Sequence, residues 1–160
     1  MQLGTTAKKL DELGIRTLGV VATNAERARL FFRYRPSRIP VGADPELSTH
    51  RAYGLPRNEL TPELWQAIES AVADRVSEMK LQLPRPVADA FAALDRMDGF
   101  TQTDSDGAEF ERHQAQLIGQ FLVDRDGIIR WTNVECAREG PAGLDKFPTD
   151  EELFGAARAL

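Results

Sequence analysis

The stretch Gly119–Glu135, GQFLVDRDGIIRWTNVE, is two apolar runs joined by a short polar turn. Ile118–Asp124 (IGQFLVD) and Gly127–Glu135 (GIIRWTNVE) flank Arg125 and Asp126, and Gly127 offers the positive φ that a tight turn needs. The pattern predicts an antiparallel hairpin. Just past it stands Cys136, the only cysteine in the chain.

Downstream, Thr149 and Glu152 have capping-box spacing, which predicts a last helix to about Ala159 that buries Leu153, Phe154 and Ala157. Upstream, Leu3, Ala7, Leu10 and Leu13 recur at helical spacing, with Gly14 as the stop. Ile15–Thr23 (IRTLGVVAT) is β-rich and apolar, as expected of a strand covered on both faces. Thr23 and Glu26 again have capping-box spacing, and Ala28, Phe31, Phe32 and Arg35 continue a helix that Pro36 ends. Arg38–Asp44 is a brief extended piece, followed by a helix with Asp44 as N-cap, Pro45 in its first turn and Gly54 at its stop. Such alternation implies an α/β fold with a mostly parallel sheet.

The middle of the chain differs. Thr61 and Pro62 open an amphipathic helix with Leu64, Trp65, Ile68, Val72, Val76 and Met79 on one face. Pro84 and Pro86 break it, and Val87, Ala90, Phe91 and Leu94 mark a second helix. Thr101–Arg112 is polar and reads as a mobile loop. Residues 57 to about 112 are therefore expected to be a helical insertion within a single 1–160 domain.

Composition narrows the function classes. At 160 residues, 42% apolar and 28% charged, the chain can bury one sizeable core. A net charge of −5 with mixed signs offers no basic patch for nucleic acid or anionic lipid. No apolar run approaches the roughly 18 residues of a membrane span, and the N-terminus lacks a signal-peptide core. The expected address is the cytoplasm. One cysteine allows no internal disulfide, and two histidines give no metal-ligand spacing. No metal or other cofactor is expected.

Particular residues add a resemblance. Gly19–Phe32 (GVVATNAERARLFF) resembles the second strand and helix of the alkyl hydroperoxide reductase and thiol-specific antioxidant family, the peroxiredoxins and their relatives. Ala43–Leu55 (ADPELSTHRAYGL) is similar to that family's Asp-Pro segment, whose helix ends in Tyr-Gly. Gly119–Glu135 resembles its final hairpin, and Phe147–Leu153 (FPTDEEL) the lead into its last helix. The pieces lie within residues 1–56 and 115–160, and their order carries the resemblance. It implies a thioredoxin-like mixed sheet flanked by helices, and thiol-dependent reduction of peroxides or disulfides, with a thiol reductant or a protein as partner.

The departures matter as much. The family carries its nucleophilic cysteine on the first turn of a helix, where unpaired N–H groups favour a thiolate. This sequence has no such cysteine and no strand before it, and Ile118, Gly119 and Gln120 stand where the family places a peroxide-orienting arginine. The missing strand would be a central one, and each buried backbone group left unpaired costs about 1–3 kcal/mol against a net stability of roughly 5–15 kcal/mol. Three resolutions are open: a start upstream of Met1, a slot filled by another chain or copy, or direct pairing of the two remaining halves. The first is the expectation, with little peroxidase activity in the chain as given. A non-catalytic thioredoxin-like interaction module is the alternative. A fold unrelated to thioredoxin is a third reading, although a doubly wound nucleotide-binding domain is disfavoured because Val20–Arg27 (VVATNAER) has no Gly-rich turn.

Cys136 is the candidate catalytic residue, as a resolving or redox thiol, against the simpler reading of a small packing residue at a strand end. Arg138 favours its thiolate while Glu135 and Glu139 oppose it. His50 and His113 are expected to be surface or hydrogen-bonded histidines. Asp124 and Asp126 bracket the hairpin turn, where aspartate is favoured without any cation. Trp65 and Phe91 are expected in the core or, if the insertion stands proud of the sheet, on a homodimer face; Trp131 is expected to be buried.

Overall fold

The structure, a computed structural model, describes residues 2–78 and 99–160. The expected second helix of the insertion, with Val87, Ala90, Phe91 and Leu94, lies outside the described residues, as do the side chains of Leu3, Val76 and Met79. The described elements are those of an α/β protein, and they fall into two compact units. One holds Met1–Pro56, Ile118–Glu135 and Lys146–Leu160; the other holds Arg57–Leu117 and Cys136–Asp145.

In the first unit the hairpin forms as the sequence predicts. Strands β3 (Gly119–Val123) and β4 (Ile129–Val134) pair antiparallel, and Gly127 takes φ +80° in the turn. Leu122 faces Trp131 while Val123 faces Ile129, so Arg130 is one residue in excess and forms a bulge beside the turn. The Asp124 carboxylate explains the tightness of that turn: one oxygen accepts from the N–H groups of Asp126 and Ile128, both at 2.9 Å. At the open end, the Glu135 N–H donates to the Ile118 carbonyl at 2.9 Å, and the Ile118 N–H donates to the buried Glu135 carboxylate at 3.0 Å.

Alternation along the strands sends Leu122 and Phe121 to opposite faces. Leu122 joins Leu10, Leu153 and Ala157 in the core, with Ile15, Trp131 and Phe154 packed around them. Leu10 comes from helix α1 (Gln2–Glu12), and Leu153 and Ala157 come from the last helix, α6 (Asp150–Ala157). Their meeting is edged by an ion pair of Lys9 Nζ with Asp150 at 2.6 Å. The capping box of α6 is present: the Glu152 N–H donates to Thr149 Oγ1 at 3.2 Å, and the Thr149 N–H donates to the Glu152 carboxylate at 2.8 Å. On the other face of the hairpin, Phe121 meets Tyr53 edge-on, with ring centroids 4.9 Å apart.

The parallel part is smaller than expected. Of Ile15–Thr23 only Gly19–Val21 forms a strand, β1, and it is half-buried; Leu18 beside it is 66% exposed. The expectation of a strand covered on both faces is thus corrected, since none of the three β1 residues is fully buried; among the described residues β1 has a ladder partner on one edge only. That partner is β2 (Val41–Ala43), which pairs with it in parallel register, Val20 opposite Gly42. Helix α2 (Ala25–Tyr34) packs against β2. Its N-cap is Asn24 rather than Thr23, because the Asn24 side chain accepts the Arg27 N–H at 2.8 Å and satisfies a first-turn donor.

The two ribbons stay separate. Among the described residues no ladder joins the β1–β2 pair to the β3–β4 pair, so direct pairing of the two halves is not seen there.

In the second unit, α4 (Pro62–Glu78) starts where Thr61 and Pro62 predict, with the Leu64 N–H donating to Thr61 Oγ1 at 3.2 Å. Leu64 is buried, but Trp65 is 39% exposed, so the two do not share one covered face. The expected mobile loop is corrected: Asp104–His113 is a helix, α5. The Asp106 carboxylate accepts from the Thr103 N–H at 2.7 Å and from Thr103 Oγ1 at 3.0 Å, which fixes the first turn. A bridge between Asn58 and Ala115, and a hydrogen bond from Arg57 to the Arg112 carbonyl at 3.1 Å, bring the two flanks of the segment together. A 3₁₀ turn, Gly140–Gly143, packs with α4.

Candidate functional site

Cys136 follows β4 and opens a run of turns in the second unit. Its backbone is left-handed, φ +59°, a conformation uncommon for a residue with a Cβ. Two contacts hold it there. Its carbonyl accepts the Gly140 N–H at 3.0 Å, and Gly143 packs so close that a Cβ on it would lie 3.2 Å from Cys136 Cα. The thiol is half-buried. No helix starts at Cys136, and the nearest helical piece is the four-residue Gly140–Gly143 turn. The position therefore lacks the row of unpaired N–H groups with which a helix N-terminus favours a thiolate.

The densest polar cluster is elsewhere, in the turn between β2 and the short helix α3 (Ser48–Ala52). Asp44 is not the immediate N-cap that its spacing suggests, because Pro45–Leu47 intervene and Leu47 takes φ +55°. The carboxylate still reaches the helix. One oxygen accepts from the Ser48 N–H at 3.0 Å and Ser48 Oγ at 2.9 Å; the other accepts from the Thr49 N–H at 2.7 Å and faces His50 Nδ1 at 3.5 Å. Burial alone would raise the Asp44 pKa. The Ser48 hydroxyl, the Thr49 and Ser48 N–H groups and His50 outweigh it and hold the carboxyl far below the ordinary range. His50 is thus a hydrogen-bonded histidine, in keeping with its sequence reading, and its Asp44 partner follows from a spacing that could have been read as a contact.

His113 is buried at the end of α5, where its Nε2 accepts from Arg112 Nε at 3.2 Å and its carbonyl accepts from the Gln116 amide at 2.6 Å. Asp124, with its second oxygen on Arg130 Nε at 2.6 Å, has both oxygens engaged within the hairpin. Its carboxyl is held below the ordinary range by the Ile128 N–H first and by Arg130 next. Trp131 is half-buried against the core. Glu135, read from the sequence only as an acid opposing a Cys136 thiolate, accepts the Ile118 N–H at the open end of the hairpin.

His50, Asp44, Asp124 and Trp131 belong to the first unit, and Cys136, His113 and Trp65 to the second. Among the described residues no group of three His, Cys, Asp or Glu side chains could hold a metal ion, and no helix is long and apolar enough to cross a membrane. No family model matches this chain, and neither does any curated protein or solved structure. The class the structure defines is α/β, with one parallel and one antiparallel ribbon among the described residues.

Proposed function

We propose that this chain is a peroxiredoxin-related, thioredoxin-like redox domain, built for thiol-dependent reduction of peroxides or disulfides, whose given residues supply the scaffold rather than the reactive thiol. The observation that carries the reading is the order of pairing: parallel β1–β2, then antiparallel β3–β4, with α1 and α6 both on the Leu122 face of the hairpin. A sheet with one central strand absent has those two pairs and no ladder between them. The chemistry such a scaffold serves is attack of a thiolate on a peroxide: an S–O bond forms, the O–O bond breaks, water leaves after protonation, and the sulfur becomes a sulfenic acid that a second thiol condenses with. Helix α1 (QLGTTAKKLDE) carries no sulfur to perform it, so any thiol chemistry of the chain passes through Cys136.

The left-handed turn around Cys136 favours a second reading, a thioredoxin-like module that binds a protein partner and does no chemistry. Hydrogen peroxide consumption in the presence of a thiol reductant separates the two. Turnover that disappears in Cys136→Ser supports redox chemistry; traces of both proteins that match the protein-free control support the module. The scaffold itself is open to a crystal structure. Both readings fail if the β1–β2 and β3–β4 ribbons are stacked as two layers instead of lying in one plane.

A further inference from the structure

We draw no further inference here: the strongest candidate, the outer edge of β3 at Gly119–Val123 with the exposed Ile118 beside it, carries nothing, because nothing among the described residues shows what covers it.

Discussion

Asp44 holds the turn between β2 and α3 together through its carboxylate. Its carboxylate satisfies two backbone N–H groups of α3 and a hydroxyl, and it is buried. Asp44→Ala leaves those donors without their acceptor and is expected to cost on the order of 2 kcal/mol, read as a lower urea midpoint. The same residue sets a pH dependence. Its folded pKa lies below the ordinary value of 3.8, so the unfolded chain binds the proton first as acid is added. The stabilisation is complete above that value and is lost as the pH falls through the folded pKa. Urea midpoints measured downward from pH 5 should fall less steeply in Asp44→Asn than in the wild type. Cys136 is constrained through its backbone instead. Cys136→Ser should leave stability almost unchanged, whereas Cys136→Val, which adds a β-branch at φ +59°, should lower it by about 1–2 kcal/mol in the same titration.

At the scale of elements, caps and turns were more legible than extents. Thr149 with Glu152, Gly127 in its turn and Gly14 after α1 all stand where their chemistry predicts. Helix α5 was not legible, and the reason is physical. Asp104–His113 offers little apolar periodicity, and its Phe110 is 47% exposed, so the hydrophobic signal that announces a helix is absent. The helix relies on Thr103 and Asp106 at its start and on Arg112 at its end, where charge suits the helix dipole. Asp106→Ala should therefore unravel the first turn, costing about 1 kcal/mol, with a loss of helical circular dichroism but no change in the hairpin's amide exchange. Strand β1 failed in the opposite direction. Ile15–Thr23 has the composition of a covered strand, yet composition reports what a segment can pair with, not which neighbours are present to pair.

For the molecule as a whole, the α/β class was readable from the alternation of periodicities, and the functional site was not. The candidate residues lie in two units, and spacing along a chain does not reveal which distant side chains meet. The core of the first unit is the exception, since Leu153 and Ala157 were assigned to a buried helix face, and Leu10 to an apolar helical stripe, from sequence alone. Leu122 lies at their centre and is 5% exposed. Leu122→Ala is expected to cost about 2–4 kcal/mol, seen as a thermal transition lowered by several degrees. Lys9→Ala should cost under about 1 kcal/mol, because the Lys9–Asp150 pair is half exposed on both sides.

That core has a consequence for biosynthesis. Leu10 is made well before Leu122, and Leu122 before Leu153, yet all three belong to one cluster. On the ribosome, Leu10 and Leu122 must wait for Leu153 to emerge before the cluster can close. Over that interval the nascent chain carries Leu10 uncovered, which gives a chaperone that shields apolar segments its opportunity.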